Sequence, residues 1–183
     1  MIRLNISQVK NFMEHLLIKD TFDAFYLNEA TVNALCSFSI DGTKNAAYDT
    51  PLANTFVDPS VAASATVQDA AQNAASSTEY VKWRDVKPLV LSMIKGKATP
   101  TSMKIIFSLT PAQIISLIQH FSLDFKPEQI DALAMNFRFN KEGACIITGT
   151  SLKTFSMEKS LEKTFDAWVR DFLAMKEIAF KED

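Results

Sequence analysis

The chain has 183 residues, 48% hydrophobic and 22% charged, with 14 phenylalanines, a composition that excludes a disordered or fibrous protein and supports a sizeable core. A formal net charge of −2 and a pI near 5.7 argue against a general nucleic-acid binder. No apolar run approaches the roughly 20 residues that span a membrane, and two cysteines, Cys36 and Cys145, make no disulfide framework.

Ile2, Leu4 and Ile6 alternate with Arg3 and Asn5, so the chain opens on a short strand rather than a basic-then-apolar leader. A reduced, cytoplasmic setting follows as the expectation. Ser7 is placed to cap a helix carrying Val9, Phe12, Met13, Leu16 and Leu17, ending near Lys19. Phe22 to Leu27 reads as extended. Thr31 to Ile40 reads as one longer strand, with Val32, Ala34, Cys36, Phe38 and Ile40 on one side. Asp41-Gly42 is a hairpin-turn signal, with a partner strand expected over Thr43 to Tyr48. From 49 to 78 alanine, serine and threonine dominate, and no Lys or Arg occurs between Lys44 and Lys82. Such a stretch buries little, so it reads as a flexible insertion within a single domain spanning 1–183.

Tyr80 to Trp83 reads as a short strand. Asp85 is placed to cap a helix with Val86, Leu89, Val90, Met93 and Ile94, with Pro88 in the first turn and Gly96 at the stop. Met103, Ile105, Phe107 and Leu109 alternate as a strand. Thr110-Pro-Ala-Gln113 is a capping box with proline at the first helical position. It opens a helix with Ile114, Ile115, Leu117, Ile118 and Phe121, and Lys126-Pro127-Glu128 starts a short helix. Met135, Phe137 and Phe139 then alternate with Asn136, Arg138 and Asn140. Asn140-Lys-Glu-Gly143 supplies the turn of a hairpin whose return strand runs from Ala144 to Phe155, with a bulge or close approach expected at Gly149. Ser156 is placed to cap a long helix. Its stripe of Leu161, Phe165, Trp168, Phe172 and Met175, with Val169 beside it, should pack on the sheet face of Phe137 and Phe139. The fold class is α+β: a largely antiparallel sheet with helices packed on it.

Two segments look alike. Ile6-Ser-Gln-Val-Lys10 matches Trp83-Arg-Asp-Val-Lys87, and Leu17-Ile-Lys19 matches Met93-Ile-Lys95. The repeat, with Ile146 to Met157 and Asp23-Ala-Phe-Tyr-Leu-Asn28, resembles one domain of a sliding DNA clamp. That resemblance implies two clamp-like β-α-β-β units, a pattern from which the inserted helices and the C-terminal helix depart, and implies fold more than activity. Asp20-Thr-Phe-Asp23, Ile94-Lys-Gly-Lys97 with Thr99-Pro100, and Thr148-Gly-Thr-Ser151 running into Phe155-Ser156 and Lys159-Ser-Leu161 carry a broader resemblance. On these residues the chain is similar to a family of uncharacterised small bacterial proteins, which implies no activity.

Little in the sequence carries chemistry. Gly96-Lys97 lacks the upstream glycine of a phosphate-binding loop, and Gly149-Thr-Ser151 lacks the second glycine of a nucleophile elbow. His15 and His120 sit on helices without clustered ligands, so neither a metal nor a cofactor is expected. Cys36 and Cys145 read as small buried hydrophobes. Lys10, Lys19, Arg84, Lys87, Lys95 and Lys97 lie on or beside the two repeat helices and are the candidates for contact with phosphates or a partner. The reading is a non-catalytic binding module for protein or nucleic acid, with no membrane partner and with self-association open. The alternative is an enzyme using carboxylates near Asp20, Asp23 or Asp85.

Overall fold

The computed structural model describes residues 1–45, 79–94, 100–154 and 158–183. The expected insertion at 49–78, the Gly96 stop and the Ser156 cap lie outside them, as do Lys95 and Lys97. In chain order the elements are β1 (Arg3–Ile6), α1 (Val9–Leu17), β2 (Tyr26–Asn33), β3 (Ser37–Asp41), α2 (Trp83–Ile94), β4 (Ser102–Ser108) and α3 (Pro111–His120). A 3-10 turn (Pro127–Gln129), β5 (Ile130–Asn140), β6 (Gly143–Leu152), α4 (Ser160–Met175) and β7 (Phe180–Glu182) follow. All seven strands form one antiparallel sheet in the order β3-β2-β4-β5-β6-β1-β7. The protein is a mixed α+β fold with a large antiparallel sheet and packed helices.

The β5–β6 hairpin forms as its alternation dictates, with register running from Asn140↔Gly143 to Ile130↔Leu152. Gly143 adopts φ 145°, and Asn140 Oδ1 accepts from the backbone N–H of Glu142 and Gly143 at 2.8 and 3.2 Å. Gly149 is an ordinary ladder position opposite Ala134 with open space around it; the irregularity sits between Ile130 and Ala132. The capping box at Thr110 also forms, with both the Thr110 and Gln113 side chains engaged.

One face of the sheet is the core. Leu4, Ile146, Phe137, Ile105 and Ala30 lie side by side across five strands, all buried. Phe12 of α1 stacks on Phe137 with ring centroids 4.8 Å apart, and Trp83 of α2 meets Phe107 edge-on at 5.2 Å. The Trp83 indole N–H donates to the Leu16 carbonyl at 2.8 Å, which ties α2 to α1. On α4, Phe172 meets Phe22 and Phe25, while Asp166 meets Thr148 of β6. Each aromatic ring buried here contributes about 2 kcal/mol or more.

Several expectations are corrected. Thr31 to Ile40 is not one strand: the chain reverses at Ala34–Cys36 and β3 returns along β2, leaving Cys36 exposed and Leu35 95% exposed. Asp41-Gly42 is therefore no hairpin turn. A Cβ on Gly42 would stand 1.7 Å from the Leu27 carbonyl oxygen, so glycine is there because two backbones touch. Phe22 to Leu27 is not extended throughout; Thr21–Ala24 is a turn, and it sends both Phe22 and Phe25 into the core. Gln8, not Ser7, precedes α1, because the Ser7 N–H extends the strand pairing to the Ala179 carbonyl. Tyr80 and Lys82 form isolated bridges to Thr43 and Tyr26 rather than a strand. Helix α2 starts at Trp83, so Asp85 lies in its first turn, and Pro88 stands inside it and removes a bond to the Arg84 carbonyl.

Helix α4 starts at Ser160, and its buried arc runs through Leu161, Phe165, Val169, Phe172 and Leu173. Trp168 is half-buried, and Met175 is 73% exposed. Glu177 then takes φ 56° and the Ile178 N–H bonds back to the Leu173 carbonyl, a left-handed exit that turns the chain into β7. Ile115 of α3 is exposed, while Ile114 and Leu117 are buried.

Candidate functional site

Of the six cations singled out on the repeat helices, Lys10, Lys19, Arg84 and Lys87 lie among the described residues. Helices α1 and α2 do lie together, but Lys87 is spent on holding them: its Nζ donates to Asp23 Oδ1 at 2.5 Å and to the Lys19 carbonyl at 3.0 Å. Lys19 Nζ lies 3.2 Å from His15 Nε2 and 3.6 Å from Glu14. Arg84 is 3.5 Å from Asp85, and Lys10 is exposed.

Of the carboxylates considered for catalysis, Asp85 lies 3.5 Å from Arg84. Asp23 carries the Lys87 ion pair, and the Asp20 carbonyl accepts from the Asp23 N–H in the turn after α1. Buried Asp166, which sequence reasoning missed, accepts from Thr148 Oγ1 at 2.5 Å and from the Met1 amino nitrogen at 2.9 Å. Both of its oxygens have donors, which suits a structural anchor better than a general base. His15 is buried and its ring is bracketed, with Nδ1 2.8 Å from Thr21 Oγ1 and Lys19 Nζ near Nε2. With ammonium donating to Nε2, Nδ1 carries the proton and the ring is neutral. Burial, with the Lys19 charge next, holds its pKa below the usual 6.5. Among the described residues no group of three or more His, Cys, Asp or Glu side chains is placed to hold a metal ion. Among them, too, no helix is long and apolar enough to cross a membrane.

The more distinctive surface is the other face of the sheet. There the register aligns Lys181, Asn5, Cys145, Arg138, Lys104 and Thr31 across six strands. The next row is Arg3, Ile147, Asn136, Ile106 and Glu29. These side chains are mostly half-exposed or exposed, with only Cys145 buried. Lys104 pairs with Glu29 at 2.9 Å, and the Glu29 carboxyl is held below its usual range first by that lysine's hydrogen bond. Arg3 lies 3.6 Å from Asp183. Arg138 and Lys181 are exposed and have no ion-pair partner among the described residues.

A depression of about 300 Å³ opens on this face at the hairpin end. Its polar rim is Arg3, Asn5, Arg138, Asn140 and Glu142, and its apolar floor includes Cys145 and Ile147. The sequence held one signal for it: the polar side of the hairpin, Asn136-x-Arg138-x-Asn140, which reads equally as a solvated strand face.

A search of curated proteins and a search of solved structures each return no match. The profile of a family of unknown function, DUF5721, matches residues 15–60 and 50–181, nearly the whole chain. The chain therefore belongs to that family, DUF5721.

Proposed function

We propose that the protein is a non-catalytic binding module that works through the exposed face of its sheet, and that its partner is an acidic segment of another protein. The observation that carries this reading is the row Lys181–Asn5–Cys145–Arg138–Lys104, in which cations stand on the sheet beside the half-buried Ile147 and Ile106 of the next row. Charge at the rim steers an acidic partner and sets its orientation, while the apolar strip between supplies area to bury. Nucleic acid is less well suited, since neither row carries an aromatic ring on which bases would stack. A clamp-like use gains no support from a single seven-stranded sheet. The helix cations Lys10, Lys19 and Arg84 offer a weaker surface, because Lys87 between them is already engaged. A cytoplasmic setting, with both cysteines free, belongs to the same reading.

Affinity capture from the native host tests it, comparing the wild type with Arg138→Glu and Lys181→Glu on nuclease-treated and untreated lysates. A partner held by the wild type, released by either charge reversal and indifferent to nuclease is the expected result. Capture that ignores both substitutions refutes the assignment of the face, and capture that nuclease abolishes replaces protein with nucleic acid.

A further inference from the structure

We infer that the depression between Arg3 and Arg138 is an anion seat that selects a phosphate monoester over a carboxylate; this rests on the exposed sheet face being the binding surface. Arg3 stands on β1 and Arg138 on β5, with β6 between them. Two strand spacings and a two-residue offset put their Cα atoms about 12 Å apart. Extended guanidinium groups from both sides reach a common point above Cys145 and Ile147. A carboxylate has two coplanar oxygens and is satisfied by one guanidinium fork. A phosphate monoester spreads three terminal oxygens tetrahedrally and takes a fork from each side.

The neighbours fit such an ion. Asn140 lies on the rim with its Oδ1 held by the turn, and Asn5 Nδ2, which donates to Asp183 Oδ1 at 2.7 Å, exchanges that bond for the ion. Arg138 is free of other partners among the described residues, so no ion pair has to be broken there. Arg3 is held only by an exposed pair with Asp183 and a 3.3 Å bond to Asn5 Oδ1, both readily exchanged. Asn136 Oδ1, on the same face and opposite Ile147, is buried without a hydrogen-bond partner among the described residues. Among the described residues Glu142 is the carboxylate that lines the depression, and Asp183 stands beside it on Arg3 and Asn5; both are exposed, where water screens them.

The phosphate could be carried on a partner's side chain or arrive as a free ester, and the test separates the two. Titration calorimetry with inorganic phosphate, O-phosphoserine, a short phosphoserine peptide and the same peptide with glutamate is run on the full chain. The variants are Arg138→Ala, Arg138→Lys and Arg3→Ala, with Lys163→Ala, exposed on α4, as the distant control and melting curves to verify folding. The expected result is saturable binding of the phosphate ligands, with the glutamate peptide about tenfold weaker or worse. Arg138→Ala and Arg3→Ala should each lose about tenfold, Arg138→Lys most of that, and Lys163→Ala nothing. Tighter binding of the phosphopeptide than of O-phosphoserine assigns the ion to a partner's side chain; equal affinity assigns it to a free ester. Equal binding of phosphate and glutamate ligands, or indifference to both arginine substitutions, overturns the seat. If phosphate fails to bind while Arg138→Glu still releases the captured protein, the seat falls and the binding face stands.

Discussion

The two faces of the sheet are made by the same strands, one residue apart. Leu4, Ile146, Phe137, Ile105 and Ala30 form a row on one side; Asn5, Cys145, Arg138, Lys104 and Thr31 form the neighbouring row on the other. The first row is buried under α1, α2 and α4, and the second is mostly open. Stability is therefore concentrated on one side, where each large side chain is enclosed. The other side carries its charges on a scaffold whose geometry it does not itself have to maintain. Substitutions on the two faces should differ in kind, not merely in degree.

The strongest way to break that contrast is Trp83→Ala. The residue is fully buried, and its loss also strips the Leu16 carbonyl of its donor. A loss of roughly 3–5 kcal/mol is expected in urea denaturation, against a total of about 5–15 kcal/mol for a domain of this size. A mutant with unchanged midpoint would remove α2 from the core. Gly42→Ala comes next, at about 2–4 kcal/mol, since the new methyl meets the Leu27 backbone rather than a movable side chain. Its counterpart Gly149→Ala, with nothing within 4 Å, should shift stability by no more than about 0.5 kcal/mol. Comparable losses at both glycines would contradict the close approach.

Trp168 tests the border between the faces. It is half-buried, stacked on Phe172 at 5.5 Å and edge-on to Phe25 at 6.3 Å. Trp168→Ala should cost about 2 kcal/mol, below the range for a fully enclosed ring. A larger loss would mean that the indole is enclosed in solution, and a gel-filtration shift to a smaller species would mean that it joins two copies.

His15 gives a titration on the covered side. Its folded pKa is depressed, so the unfolded chain binds the proton more readily. Stability should be intact above about pH 6.5 and fall as the pH drops through and below that value, with Lys19, Glu14, Lys176 and Glu177 as the charged neighbours. Thermal melts of wild type and His15→Gln between pH 7.5 and 5.5 check this; a slope that survives the substitution assigns the effect elsewhere. The smallest change belongs to the open face: Arg138→Ala should move the melting midpoint by no more than the equivalent of about 0.5 kcal/mol.

What the sequence made legible was local. The Asn140–Gly143 turn and the Thr110 capping box form because their partners lie within three residues of each other. The reversal at Ala34–Cys36 was hidden for a definite reason. Val32 on β2 and Phe38 and Ile40 on β3 all point to the core side, so the even-numbered alternation runs unbroken through the turn. No glycine or proline marks the place. On α4 the apolar spacing points to Met175 where the structure buries Leu173, because both lie on flanks of the same stripe and spacing alone does not separate them. The depression was illegible in principle: Arg3 and Arg138 meet only through the register of β1 on β6 and β6 on β5.

The place of β1 has a consequence for biosynthesis. It precedes the other described strands in the chain, yet it lies between β6 and β7, and the Ile2 N–H reaches Thr148 Oγ1 across 146 residues. During translation Leu4 and Ile6 leave the ribosome long before any strand that can pair with them. The central β2-β4-β5-β6 array can assemble first, and β1 must then insert at its edge before β7 closes over it. Folding of this chain should be slow for its helix content, as contacts so distant in sequence are costly to close. Until β6 is made, the nascent chain would carry β1 unpaired, the stage at which a holding chaperone has the most to protect.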